Sequence, residues 1–369
     1  MNPRSNAARP SPQLPIRRSR PRLLARLAVA GAWSLALSAT PVAAQTPAPA
    51  KPDPTPARTN AAGDYANRPE VQAFVTEMVE QHGFIESELL QAFSHVRHND
   101  QAVRLMTPAP PTAKRSWHVY RARFLDALRI REGLRFWREH EQWLDLAAAR
   151  YGVPPEIIVA IIGVETIYGR RTGEHRVLDV LATLAFDYPR RADYFRAELG
   201  EFLLYSREAN FDVFSVRGSY AGAIGLPQFM PGSIRRFAVD FDEDGRIDLR
   251  SNAADAIGSV ANFLAEHGWR AGEPVRFEML FDSEAQLVPL IEAGIRPQFT
   301  IDELAGYGVS SAEPVSFEMP LALIDLPNGD DSTSYYLGAP NFFTITRYNR
   351  SSFYAMAVYE LARTLAARR

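Results

Sequence analysis

The chain has 369 residues, 46% of them hydrophobic and 23% charged, with a formal net charge of −2. That length and balance fit one large or two modest globular domains with a buried core, and they exclude a short peptide module or a globally disordered chain. Cysteine is absent, which excludes disulfide frameworks, cysteine-held zinc or iron–sulfur sites and thiol nucleophiles, so any metal must be held by oxygen or histidine.

Residues 1–44 carry seven arginines and no acidic residue, with an apolar run at 27–39 and the small residues Val42-Ala43-Ala44 behind it. This is the order of a signal peptide. A membrane-spanning helix would need about 20 apolar residues, more than this run supplies. The residues after Arg17-Arg18 match a twin-arginine signal poorly, which favours the general export route. Removing the segment takes the formal net charge from −2 to −9. A mature chain of that sign suits no nucleic-acid partner, and no transmembrane segment remains in it. Residues 45–62 are rich in proline and alanine and read as an extended tether.

Apolar residues at three and four residue spacing predict amphipathic helices over 68–95 (Phe74, Met78, Val79) and 117–151 (Phe124, Leu128, Phe136, Trp143, Leu144), with a proline loop at 106–112 between them. Pro154-Pro155 opens a further helix that Gly169 ends, and others follow at 193–208 and 252–267. Past Gly268, short apolar or alternating runs at 275–280, 315–317, 321–326 and 334–337 read as strands. Pro327-Asn328-Gly329-Asp330 is a hairpin signal, and a final helix covers 351–366. The fold class is mainly α (α+β): helices, a small antiparallel sheet, then a closing helix.

Three blocks carry chemistry. Glu165 follows Ile158, Ile161 and Ile162 at helical spacing, so it projects from an apolar face. Loss of water there raises a carboxyl pKa, as a general acid needs; a buried glutamate paired with one of the many arginines would show the same pattern. The block 217–233 places Gly218, Gly222 and Gly225 beside Ser219, Gln228, Phe229, Met230 and Ser233. This mixture suits a neutral sugar and equally a glycine-rich turn feeding a helix. The block Asp240-Phe-Asp242-Glu-Asp244-Gly245-Arg246 matches the first half of an EF-hand calcium loop, with Arg246 offering only its carbonyl; an acidic surface turn is the alternative. The twelfth position is Ser251, and Asp255 is the nearest carboxylate able to close the loop. The seven histidines show no metal-ligand spacing, and Trp117, Trp137, Trp143 and Trp269 read as core.

In order and approximate spacing, GVETIYGR, AFDYPRRADYF, SYAGAIGLPQFMPGS, DFDEDGRIDL with DAIGSVANF, and ITRYNRSSFYAMAV resemble the lytic murein transglycosylases of the B type, from about Tyr65 to the C-terminus. The resemblance implies a lysozyme-like helical catalytic core at 149–270 including the calcium loop, preceded by a helical region at 63–148. After the core it implies a small β subdomain at 271–341 and a C-terminal segment at 342–369. It implies Glu165 as the single acid and base cleaving peptidoglycan glycan strands between N-acetylmuramic acid and N-acetylglucosamine to a 1,6-anhydromuramoyl product. By the same resemblance Tyr120, Arg190, Arg191, Ser219, Gln228, Tyr348, Asn349 and Tyr354 bind substrate, with Phe229 and Met230 beside them. Asp240, Asp242, Asp244, Arg246 and Asp255 would hold a structural calcium ion, and the chemistry itself requires no cofactor. The family's lipid-anchored members carry a cysteine after the signal, so a soluble periplasmic form is expected here. Which other cell-wall enzymes act as partners is left open. A hydrolytic muramidase with a second carboxylate, a non-catalytic glycan-binding protein and a calcium sensor are the competing readings of the same residues.

Overall fold

The computed structural model describes residues 65–108 and 114–369. The signal peptide read at 1–44, the tether at 45–62 and the middle of the proline loop lie outside these residues. Local punctuation sets the first helices. Helix α1 (Pro69–His82) starts with a proline, where no amide hydrogen is needed, and stops at Gly83, whose φ of +66° closes it in the left-handed conformation. With α2 (Glu86–Ser94) next, the 68–95 stretch resolves into two helices. The side chains of Asn99 and Ser116 cap α3 (Asp100–Met106) and α4 (Trp117–Ala122). The 117–151 stretch is cut twice more, at Asp126, which caps α5 (Ala127–Glu139) through the Arg129 amide, and at His140 before α6 (Glu141–Tyr151).

Next come α7 (Pro155–Thr166), β1 (His175–Arg176), α8 (Val177–Phe186), α9 (Ala192–Glu208), β2 (Arg217–Gly218), α10 (Pro231–Phe237) and α11 (Ala253–Glu266). The chain then enters β3 (Arg276–Phe281), α12 (Glu284–Glu292), α13 (Ile301–Ala305), β4 (Val309–Ser311), β5 (Ala322–Asn328) and β6 (Asp331–Gly338), and closes with α14 (Pro340–Tyr348) and α15 (Ser352–Ala366). The short β1–β2 pair and the four-stranded sheet, in the order β4-β3-β6-β5, are antiparallel. Gly329, at φ +73°, turns the β5–β6 hairpin where the sequence signalled it.

One expectation fails for a physical reason. The run 315–317 is no strand: Phe317 is exposed in a turn, with no partner strand to supply ladder hydrogen bonds. The closing helix read at 351–366 is present as α15, capped by Ser351; α14, which precedes it across Asn349, was not announced. Helix α8 was not announced at all. Val177 to Ala185 are buried throughout, so it has no polar stripe to reveal its period.

Helix α7 is the centre of the molecule. Residues 157–164 are all buried, so the one-sided apolar face read for Glu165 is in fact an apolar surface all round. Helices α5, α6, α11 and α15 pack around it. Each of its large aliphatic side chains contributes about 1.5–3 kcal/mol relative to exposure. A second, smaller core of Phe277, Leu287, Leu290, Leu304, Leu323 and Leu337 underlies the sheet.

Candidate active site

Glu165 is the penultimate residue of α7, where the partial negative charge of a helix C-terminus also disfavours a carboxylate. Its side chain keeps some access to solvent at the rim of a shell that is otherwise protein. Burial pushes its carboxyl up to about 7, against the pull of one hydrogen bond in the other direction. That bond comes from Tyr354 on α15, whose hydroxyl donates to Oε1 at 2.7 Å. The ring of Tyr348, last residue of α14, lies nearly parallel to that of Tyr354 at 12° and 6.3 Å between centroids. Tyr120 on α4 packs on Phe353, the neighbour of Tyr354, at 5.4 Å. Burial first, and then the charge of Glu165, raise the hydroxyls of all three tyrosines, that of Tyr120 to about 12. All three therefore stay protonated hydrogen-bond donors at any physiological pH. No lysine or arginine pairs with Glu165 among the described residues, so the ion-pair alternative is not realised there.

The glycine-rich block approaches the end of α7. Gly225 (φ +77°) and Gln228 (φ +52°) form a tight turn closed by Ile224 and Phe229, which exchange backbone hydrogen bonds. A side chain at Gly225 would lie 2.3 Å from the Leu249 carbonyl oxygen, so only glycine fits. The Gln228 amide donates to the carbonyls of Gly225 (2.8 Å) and Thr172 (3.1 Å). Ser219 Oγ accepts the amides of Ala221 and Ala223. Tyr348 ties this turn to the tyrosine shell by donating to the Pro227 carbonyl at 2.5 Å.

The sequence profile described as Transglycosylase SLT domain matches residues 66–363. The chain belongs to this transglycosylase family. Membrane-bound lytic murein transglycosylase B of Escherichia coli (strain K12) is 42% identical over 315 residues, 83% of this chain and 85% of that protein. Among solved structures, SltB1 from Pseudomonas aeruginosa aligns with TM-score 0.76 and 44% identity over 83% of this chain and 99% of that one. Slt35 of E. coli in complex with bulgecin A aligns with TM-score 0.77 and 42% identity over 84% and 96%. Slt35 has also been solved in complex with calcium. SltB3 of P. aeruginosa, at 31% identity over 80% of this chain and 79% of that one and TM-score 0.70, has been solved with NAG-anhNAM-pentapeptide. The chain is thus a peptidoglycan lytic transglycosylase of the murein type with the lysozyme-like helical fold.

Not every residue the sequence singled out joins the tyrosine shell of the transglycosylase. Phe229 is buried behind Tyr348, 5.7 Å between rings, and backs that tyrosine without facing solvent. Met230 is partly buried at the start of α10, and Asn349 is exposed between α14 and α15. Arg190 and Arg191 lie in the turn before α9, where the Arg191 guanidinium stacks 4.1 Å from the ring of Tyr194. Neither is among the groups acting on Glu165. Trp117 is buried, stacked against Tyr120, as expected of a core residue.

The acidic loop brings carboxylate oxygens of Asp240, Asp242 and Asp244 within 4.8 Å of one another. Asp242 Oδ1 is buried with no hydrogen-bond partner, and its other oxygen accepts from Asn252. A buried orphan oxygen in an all-oxygen trio fits a hard divalent cation. The side chain of Arg246 is exposed, and Asp244 accepts its backbone amide. Asp255 is not one of the clustered three. It is buried, with its oxygens accepting the amides of Phe241 and Asp248 at 2.8 Å each, so it staples the two ends of the loop from beneath. Ser251 donates to Asp248 within the loop.

Two residues that sequence reasoning missed also shape the site. Glu198 is buried on α9, accepts the Gly232 amide at 2.8 Å and so fixes the start of α10. Its signal was a lone glutamate between Phe195, Leu199 and Phe202. Thr166, next to Glu165, is fully buried and hydrogen-bonded.

Proposed function

We propose that this transglycosylase cleaves the β-1,4 bond between N-acetylmuramic acid and N-acetylglucosamine with Glu165 as its single acid and base, releasing a 1,6-anhydromuramoyl end. The observation that carries the reading is a carboxyl held near pKa 7 inside a tyrosine shell, with no second carboxylate among the groups acting on it. A two-carboxylate glycosidase would need a partner across the scissile bond. Because Tyr354 occupies Oε1, the mobile proton belongs on Oε2. In the first step that proton passes to the glycosidic oxygen, the bond to C1 breaks, and the muramoyl N-acetyl oxygen bonds to C1. In the second, the Glu165 carboxylate takes the C6 hydroxyl proton, O6 bonds to C1 and the N-acetyl oxygen leaves. Glu165 is then protonated again and no water is consumed. The attacking hydroxyl belongs to the same sugar, which removes the entropic cost of bringing in a nucleophile. A pKa near ambient pH lets one group serve both steps.

Tyr120, Ser219, Gln228, Met230, Tyr348, Asn349 and Tyr354 would line the glycan site, with Phe229 behind and Arg190 and Arg191 further along. In support, the Gln228 amide oxygen and the exposed Asn349 side chain make no hydrogen bond among the described residues. The hydroxyl hydrogen of Ser219 is likewise uncommitted. The complex of SltB3 with NAG-anhNAM-pentapeptide supports the anhydro product. Asp240, Asp242 and Asp244, with the Arg246 carbonyl and Asp255, would hold a structural calcium ion, a reading supported by the orphan oxygen of Asp242 and by the calcium complex of Slt35. The basic and apolar 1–44 segment would send the enzyme to the periplasm, and no single helix among the described residues is long and apolar enough to cross a membrane.

Mass spectrometry of fragments released from purified murein tests the reading. Wild type should give anhydromuropeptides one water lighter than hydrolysis products, and Glu165→Gln should release them at least about 10²-fold more slowly. Reducing ends in the wild-type digest, or an active Glu165→Gln enzyme, would overturn it.

A further inference from the structure

Thr166 follows the proposed proton carrier in sequence, and its side chain is the point where three backbone segments meet. It is fully buried. Its hydroxyl hydrogen is directed at the Leu226 carbonyl, 2.9 Å away, the nearer of two acceptors, since the Ile162 carbonyl of its own helix is at 3.3 Å. The same oxygen accepts the Gly169 amide at 3.0 Å. Gly169 ends three consecutive left-handed residues, Ile167, Tyr168 and Gly169, at φ 51°, 57° and 87°. Isoleucine is a poor occupant of that region, because its branched Cβ crowds the backbone. Such a turn persists only where its surroundings hold it. Leu226 lies in the tight turn carrying Gln228, and that turn has two further anchors. The Leu226 amide donates to the Leu249 carbonyl at 2.8 Å, and Tyr348 donates to Pro227.

We infer that Thr166 is a positioning residue that sets the distance between Glu165 and the glycine-rich turn across from it, so that the carboxyl and the sugar-binding groups of 217–230 face one gap of fixed width. The inference rests on Glu165 being the proton carrier. A hydroxyl is the small side chain able to donate to Leu226 and accept from Gly169 at once; valine, of nearly the same shape, does neither. Leucine or isoleucine would not fit a site with no free surface.

The test compares Thr166→Val and Thr166→Ser with wild type and with Glu165→Gln, on purified murein over a range of pH, with folded fraction and melting temperature measured alongside. For Thr166→Val we expect kcat per folded molecule to fall about tenfold or more with KM changed less than threefold. The alkaline limb of kcat should move to lower pH, because a wider gap admits water to Glu165. Thr166→Ser should restore both. If Thr166→Val does not fold, Thr166→Ala replaces it under the same criteria. An alkaline limb that stays in place, with activity lost only in proportion to folded protein, overturns the positioning role and leaves a purely structural one. An active Glu165→Gln enzyme instead overturns the reading on which the inference rests.

Discussion

Glu132 and Glu165 sit on α5 and α7, helices that pack together, and neither is fully exposed, yet they reach opposite states. Around Glu132, Arg131, Arg135 and Arg170 lie at 3.1, 2.8 and 3.1 Å. Burial opposes ionisation there, but the Arg131 hydrogen bond and the charges of Arg135 and Arg170 outweigh it and hold the carboxyl below its ordinary range. Glu165 has a tyrosine where Glu132 has guanidinium groups, and burial wins. Burial alone therefore does not make an acid; burial without a cation does.

Several measurements would break or sharpen this contrast. The largest effect expected is on catalysis by Glu165→Gln, a loss of roughly 10²–10⁴-fold in kcat by the usual contribution of general acid–base groups, read as release of soluble muropeptides. Glu132→Gln should cleave murein as wild type does per folded molecule. Next, Tyr354→Phe removes the hydrogen bond that favours the ionised form of Glu165. Its alkaline limb should move to higher pH, with kcat lower by about tenfold; a limb moving to lower pH would contradict the assignment of that bond.

Stability against pH separates the two glutamates by sign. The Glu165 pKa is raised on folding, so its ionisation costs stability as pH rises from the unfolded value through about 7. Glu165→Gln should equal wild type near pH 4 and exceed it by about 1–3 kcal/mol above pH 8, a figure discounted for partial solvent access. Glu132 has a lowered pKa, so its ion pairs stabilise above the unfolded carboxylate range and that stability fades as pH falls through the folded value. Glu132→Gln should lower the melting temperature at neutral pH and make no difference in strong acid. The smallest effect on catalysis belongs to the acidic loop. Removing calcium, or Asp242→Asn, should lower the melting temperature with kcat changed less than about threefold; calcium at 100 times its Kd would contribute about 2.7 kcal/mol.

Much of this was legible before any coordinates. Pro155 opening α7, the helix read at 252–267, the hairpin at Gly329 and the DxDxDG loop are local signals, written within a few residues, and the structure keeps them. Helices α8 and α14 were not. Uniform burial erases the period of α8. At the candidate site the residue types were legible and their partnerships were not. Asp255 reads as a carboxylate able to close the loop, but its hydrogen bonds to the Phe241 and Asp248 amides could not be read from spacing. Phe229 reads as lying beside the substrate-binding residues, but its packing behind Tyr348 was not legible.

The sequence by itself determined that one carboxylate would stand at the end of an apolar helix, that a glycine-rich turn would follow and that three aspartates would share a loop, because each rests on spacing along a short stretch. Only the tertiary structure decided that Glu165 would be given a tyrosine 189 positions away and no arginine. A carboxyl group's proton affinity is set by what surrounds it in space, and spacing along the chain says nothing about partners brought in from distant helices.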